Sequence, residues 1–173
     1  MKTRKQQFLM FRVFQYRDTH AYGELYDAFY GSIRRYLFFK LPTAQDADEL
    51  TSEVFLRGWE FSTSTRVEHA GALFFQIARR LISDFYRANK EMVPLGGLQL
   101  EAERETFEEK SEVWQIAKSL HKIKDEYREL IILHYLNDMS VKEIATIFDK
   151  TPNNIRVSLH RARKALKRVV DSQ

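Results

Sequence analysis

The chain of 173 residues is 44% hydrophobic and 30% charged, with 28 Lys and Arg against 24 Asp and Glu for a net charge of +4. That size and apolar content support one substantial core or two small ones and exclude a disordered tail. The lack of cysteine excludes disulfides, a thiolate nucleophile and thiolate-bound zinc, and it is compatible with the cytoplasmic location expected here.

Only six glycines and three prolines punctuate a sequence rich in helix formers, so the expected fold class is all-α. The first stretch, "MKTRKQQFLMFRVFQYRD", is basic and then apolar like a secretory leader, yet Arg12 breaks the apolar run too early for one. No segment approaches the roughly 20 apolar residues of a membrane span, so the protein is read as unprocessed and without membrane insertion. Next, Leu25, Phe29, Ile33, Tyr36 and Leu37 recur at helical spacing, with Pro42 just past the helix end. In "TAQDADELTSEVFLRGWEF", Thr43 is the expected N-cap with Asp46 three residues on, and Asp48 and Glu49 follow in turns where the helix dipole favours negative charge. Leu50, Val54 and Trp59 are expected to face the core.

A further helix, "AGALFFQIARRLISDFYRANK", places Leu73, Ile77, Leu81 and Phe85 on one face, with Phe74 and Ala78 beside them. Gln76, Arg80, Ser83, Arg87 and Lys90, spaced 4, 3, 4 and 3 apart, form a continuous polar ridge. Any surface helix needs a solvated face; the excess of Arg and Lys, with Tyr86 adjoining, tilts this one slightly toward nucleic acid.

The stretch "KEMVPLGGLQLEAERETFEEK" then interrupts the helical pattern with Pro94 and the Gly96–Gly97 pair. It suggests an N-terminal domain over residues 1–92, a flexible linker over 93–110 and a C-terminal domain over 111–173. Charge follows the same division: residues 1–90 hold 14 positive and 10 negative side chains, residues 91–110 hold 2 and 6, and residues 111–173 hold 12 and 8. About 20 extended residues reach at most roughly 70 Å, close to two turns of DNA.

The last domain begins with Val113, Ile116, Ala117 and Leu120, continues through "DEYRELIILHYL", and reaches two marked helix starts. Ser140 and Glu143 make a capping box, with Met139 and Ile144 placed for a hydrophobic staple, and Val141, Ile144, Ala145 and Phe148 give an apolar face. After "DKT", Thr151 is the N-cap of a helix with Pro152 at its first position. Ile155, Leu159, Ala162, Leu166 and Val169 complete its core face without using a charge. Arg156, Arg161, Arg163, Lys164, Lys167 and Arg168 have no acidic residue among them, and phosphates would relieve their mutual repulsion.

Two short helices of which the second is basic describe a helix-turn-helix that seats its second helix in a DNA major groove. Thr151, Asn153, Asn154, Arg156, Val157 and His160 lie near the leading end, toward base edges or nearby phosphates, with Asn suited to adenine and Arg to guanine. Arg161, Lys164, Lys167 and Arg168, further along, suit the phosphate backbone or another protein surface.

The run "IKDEYRELIILHYLNDMSVKEIATIFDKTPNNIRVSLHRARKALKR" resembles the C-terminal DNA-binding region of bacterial extracytoplasmic-function sigma factors, down to its "LHRARKAL" ending. "DADELTSEVFLRGWE" is similar to that family's polymerase-binding segment, and "FFQIARRLISDFYRANK" to its promoter-melting helix. The resemblance implies a dissociable subunit that brings core RNA polymerase to promoter DNA, with an anti-sigma factor as a further partner and no cofactor. It assigns Asp46, Asp48, Glu49, Glu53, Phe55, Leu56 and Trp59 to polymerase docking, although Leu56 and Trp59 fit core packing equally well. It assigns the loop "FSTSTRVEHAG" and the helix after it to the minus-ten element and strand melting, through Ser62, Arg66, His69, Gln76, Arg79, Arg80, Ser83, Tyr86 and Arg87. The helix-turn-helix would read the minus-thirty-five element. Leu73 stands where the family commonly has an aromatic, Gln76 where it has a basic residue, Arg80 for asparagine and Ser158 for arginine. "FDKTPNN" also lacks the usual turn glycine, so the family's promoter sequences do not carry over.

Two other classes compete. A stand-alone helix-turn-helix regulator would dimerise and bind a palindromic operator without polymerase. An enzyme is disfavoured: His20, His69, His121, His134 and His160 are scattered, with no His-Glu-x-x-His motif and no phosphate-cradling glycine loop. Asp46, Glu49 and Glu53 share a helix face as metal ligands might, without an accompanying histidine; acidic helix starts are ordinary.

Overall fold

Side-chain caps at Asp18, Thr43, Ser140 and Thr151 set where four of the helices begin, and the computed structural model describes the chain over residues 3–89 and 119–172. The chain divides into two compact units, residues 1–98 and 99–173. In the first, α1 (Thr3–Tyr16), α2 (Thr19–Phe38), α3 (Ala44–Ser64) and α4 (Ala70–Ala88) each pack on the other three. In the second, α5 (Asp125–Ile131) runs into a π-helical turn (Ile132–Leu136), followed by α6 (Val141–Phe148) and α7 (Pro152–Asp171). Regular structure among the described residues is entirely helical, as composition implied. None of these helices is long and apolar enough to cross a membrane.

Helix α1 occupies the stretch weighed above only as a leader. It buries Leu9, Met10 and Val13 against the bundle. Arg17 then takes a left-handed conformation (φ 49°), and Asp18 caps α2 by accepting the Ala21 N–H at 2.9 Å. That hydrogen bond, with the Arg12 guanidinium alongside, holds the Asp18 carboxyl below the usual aspartate range. Thr43 caps α3 as expected, accepting the Asp46 N–H at 3.0 Å while its hydroxyl donates to the Asp46 carboxylate at 2.7 Å.

The core between these helices is aromatic. Phe74 of α4 is fully buried, and its ring centroid lies 5.0 Å from Phe55, 5.5 Å from Phe29 and 6.2 Å from Tyr22. Such pairs add about 0.5–1.5 kcal/mol each beyond area burial. Gly58 is where α3 meets this cluster: a Cβ there would stand 2.6 Å from Phe74 Cε1 and 2.8 Å from the Tyr22 hydroxyl. That hydroxyl donates to the Phe55 carbonyl at 2.5 Å, and burial pushes the phenol well above its ordinary pKa.

Two expected faces turn out rotated. On α4 the buried residues are Ala70, Gly71, Leu73, Phe74, Phe75, Ala78, Leu81 and Ile82, whereas Ile77 and Phe85 are half-buried. On α3 the stripe runs Ala47, Thr51, Val54, Phe55, Gly58 and Ser62, leaving Leu50 and Trp59 half-buried. In both cases three neighbouring helices widen the buried arc beyond one 3–4 stripe.

The second unit centres on Leu120, Leu130, Ile131, Ile132 and Leu133, against Ile144, Ala145 and Ile147 of α6 and Ile155, Leu159 and Ala162 of α7. Ile147 is buried where Val141 and Phe148 had been favoured, and those two are half-buried. The π-helical turn closes through Asn137 N–H to the Ile132 carbonyl and Met139 N–H to the Leu133 carbonyl, each 3.0 Å. His134 adds an Nδ1 contact to the Met139 carbonyl at 2.7 Å. The linker 93–110, the helix start at Val113, Ile116 and Ala117, and Lys90 at the end of the polar ridge lie outside the described residues.

Candidate nucleic-acid interface

Ser140 accepts the Glu143 N–H at 3.3 Å while the Glu143 carboxylate accepts the Ser140 N–H at 2.8 Å, so the capping box fixes where α6 begins. Met139 and Ile144, the staple pair, are both buried. The helix ends at Asp149 in the left-handed conformation (φ 52°, ψ 45°), with Lys150 N–H reaching back to the Ala145 carbonyl at 3.0 Å. Aspartate tolerates this conformation better than most residues, which explains how "FDKT" turns without glycine. Thr151 then accepts the Asn154 N–H at 3.3 Å and opens α7.

Helix α7 buries Ile155, Leu159 and Ala162. Its opposite side exposes Asn153, Asn154, Arg156, Val157, His160, Arg161 and Lys164, with Thr151 exposed at its leading end. The structure therefore gathers the expected helix-turn-helix residues on one surface. A shallow depression lined by Lys150, Asn154, Val157, Ser158 and Arg161 lies on it, and Val157 is the exposed apolar member, suited to contact a thymine methyl.

In the first unit, Gln76, Arg80, Ser83 and Arg87 form an exposed ridge along α4, with Arg79 half-buried beside it. Arg87 is held by Asp84 at 3.5 Å. Tyr86 is 38% exposed, and its hydroxyl donates to the Lys40 carbonyl at 2.7 Å, so the ring is fixed at the surface rather than swinging. Arg66 and His69 are exposed on the segment before α4, where His69 occupies the N-cap position without a side-chain cap bond.

Ser62 does not reach the surface expected of it. It is fully buried, and its hydroxyl donates to the Gly58 carbonyl at 2.6 Å. Thr63 and Ser64 likewise return their hydroxyls to Trp59 and Glu60, so helix α3 absorbs "FSTS" and the loop is only Thr65–His69.

The segment of α3 expected to dock polymerase divides in the same way. Phe55 is core, 4% exposed and in contact with Phe74, whereas Leu56 points outward at 55% exposure. Trp59 packs edge-on against Tyr22 at 5.2 Å. Asp46 serves the helix start, and Asp48 chelates Arg34 of α2, whose guanidinium it holds further into the charged form. Glu49 accepts from Gln45 at 2.9 Å and Glu53 from Arg57 at 2.6 Å. Sequence reading missed Tyr26 and Tyr30, whose rings lie beside Phe55, tilted at 4.6 Å and stacked at 6.4 Å between centroids, with Tyr26 exposed at the α2–α3 seam. Their spacing of four on α2 was the available signal.

With this geometry in hand, comparisons with known proteins are specific. The family model for sigma-70 region 2 matches residues 25–91, and that for sigma-70 region 4 matches residues 114–166. Among characterised proteins, the ECF RNA polymerase sigma factor BldN of Streptomyces coelicolor is 26% identical over 163 residues, covering 88% of this chain and 61% of BldN. The ECF RNA polymerase sigma factor SigM of Bacillus subtilis is 26% identical over 149 residues, 83% of this chain and 91% of SigM. The ferric citrate uptake sigma factor FecI of Escherichia coli is 27% identical over 135 residues, 72% and 76% of the two chains. In fold, the chain resembles CnrH, solved with the cytosolic domain of CnrY, at a TM-score of 0.76 and 19% identity over 98% of this chain and 99% of that one. It also resembles RpoE of Bartonella quintana, solved with the anti-sigma factor NepR, at 0.62 and 17% over 86% and 96%. Region 2 and region 4 in this order, with relatives of this type matching across both, place the chain in the sigma-70 family of transcription initiation factors, among its extracytoplasmic-function members.

Proposed function

We propose that the protein binds core RNA polymerase and directs it to promoters, opening the minus-ten element with the first unit and reading the minus-thirty-five element with the second. The observation that carries this reading is the helix-turn-helix surface of α7, where six exposed residues from Asn153 to Arg161 face away from a fully apolar packing side. Asn153, Asn154, Arg156 and His160 supply the donors and acceptors that read base edges, and Arg161 and Lys164 the charges that hold phosphates. On the first unit, the α4 ridge with Arg66 and His69 suits an opened strand, since cations and a fixed aromatic ring hold unstacked bases. Leu56, Trp59 and the acids of α3 form the polymerase-docking surface, extended by Tyr26. Core polymerase, promoter DNA and an inhibitory anti-sigma factor are the partners this reading implies, and it operates in the cytoplasm, as a stoichiometric subunit rather than an enzyme.

The test is transcription by purified core polymerase on a randomised promoter library, with and without the protein. Protein-dependent transcripts enriched for two spaced elements are expected. Failure to obtain any, together with a footprint by the protein alone on a palindromic site, would transfer the assignment to a stand-alone regulator.

A further inference from the structure

Lys150, in the turn between α6 and α7, has so far figured only as a wall of the depression on α7. Its backbone is fixed: the N–H reaches the Ala145 carbonyl at 3.0 Å, and Thr151 directly after it caps α7. Its side chain extends to α5, where Nζ donates to the Glu126 carboxylate at 2.8 Å and lies 5.8 Å from the Phe148 ring centroid. Both Lys150 and Glu126 are exposed. Asp125, next to Glu126, faces Arg128 of its own helix at 3.8 Å.

Charge sets this lysine apart. From Lys150 to Val170 the chain carries Lys150, Arg156, Arg161, Arg163, Lys164, Lys167 and Arg168 and no acidic residue. Among the described residues the last six form no ion pair, whereas Lys150 is held by a carboxylate brought from another helix. The depression it lines holds Arg161 as a second cation, beside Asn154, Val157 and Ser158. An exposed ion pair adds little to stability, so its effect here falls on binding. A phosphate that approaches Lys150 must displace Glu126, and it leaves that carboxylate unpaired close to the DNA backbone.

We propose that Glu126 is an intramolecular stand-in for a DNA phosphate: it occupies Lys150 in the free protein, and Lys150 passes to the DNA backbone when α7 seats in the groove. Glu126 thereby lowers sequence-independent affinity, which leaves the base contacts of α7 to decide where the helix stays. The exchange rests on α7 binding duplex DNA, as read above, and not on which promoter element it reads.

The experiment is fluorescence anisotropy of a labelled random-sequence duplex about two helical turns long, titrated with the full chain across a salt series. Glu126→Gln should bind about two- to fivefold more tightly, within the range of an exposed ion pair, with an unchanged thermal unfolding curve. Lys150→Gln should bind more weakly and flatten the salt dependence by about 0.9 in slope, one phosphate contact. In the Lys150→Gln background, Glu126→Gln should gain less than it does alone, because the pair is already broken. A gain of equal size with and without Lys150 would make Glu126 a distant repulsive charge and overturn the exchange. So would an unchanged slope in Lys150→Gln, or no gain in Glu126→Gln. If Arg161→Gln leaves duplex binding intact, α7 is not the duplex-binding surface, and the exchange falls together with that part of the proposed function. No duplex binding by the wild type up to about 100 µM, the weak end of non-specific affinity, would have the same consequence. Absence of protein-dependent transcription, with the Glu126→Gln gain intact, would instead remove the promoter function and leave the exchange standing.

Discussion

In the C-terminal unit the starts of α6 and α7 are closed by side chains within three residues, at Ser140 with Glu143 and at Thr151 with Asn154, whereas α5 begins at Lys124 without a side-chain cap bond. In the N-terminal unit, by contrast, Tyr22, Phe29, Phe55 and Phe74 meet across three different helices. Local caps at Asp18 and Thr43 start α2 and α3 of the first unit as well, so what sets that unit apart is the long-range packing of its aromatic core. The second unit leaves one face of α7, from Asn153 to Lys164, exposed opposite its buried Ile155, Leu159 and Ala162, whereas in the first Leu56 is exposed next to buried Phe55 on α3.

The largest effect that would sharpen this contrast is in the aromatic core. Phe74→Ala should destabilise the first unit by about 3–5 kcal/mol, read by denaturant unfolding. A loss under about 1 kcal/mol would show that the cluster is not what joins the helices. On the second unit the informative losses are in binding. Arg156→Ala should reduce discrimination between promoter sequences by about 1–3 kcal/mol, whereas Lys164→Ala should weaken binding to all sequences alike and reduce the salt slope by about one. Equal losses on every sequence for both would erase the division between base and phosphate contacts. Ser140→Ala, which removes half of the capping box, should cost about 0.5–2 kcal/mol, measured by thermal unfolding. Smallest is Asp149→Gly, which relieves a left-handed aspartate and should stabilise the unit by up to about 1 kcal/mol; destabilisation would mean that the Asp149 side chain holds the turn.

The local signals were legible in the sequence and the non-local ones were not. Thr43, Ser140, Thr151 and Pro152 marked helix starts because a cap is a relation between residues three apart. The α7 surface followed from the same periodicity, since one apolar stripe suffices for a helix with few neighbours. Helix α1 was missed because its apolar residues, Leu9, Met10 and Val13, lie among outward-facing Phe8 and Phe11 that blur the stripe. The resemblance assigned Phe55 to polymerase docking and Ser62 to the loop before α4; their burial was not legible beside it, because packing by three surrounding helices and hydroxyls returned to helix carbonyls have no signature in spacing alone. The non-glycine turn at Asp149 was noted as a departure, but its left-handed conformation emerged only from the backbone.

The most direct measurement of the central claim, that the two units recognise separate promoter elements, is the randomised-library transcription assay repeated with Arg156→Ala and with Arg80→Gln. The account predicts that the first variant loses sequence enrichment only at the upstream element and the second only at the downstream one. Loss of both elements in either variant, or of neither in both, would contradict it.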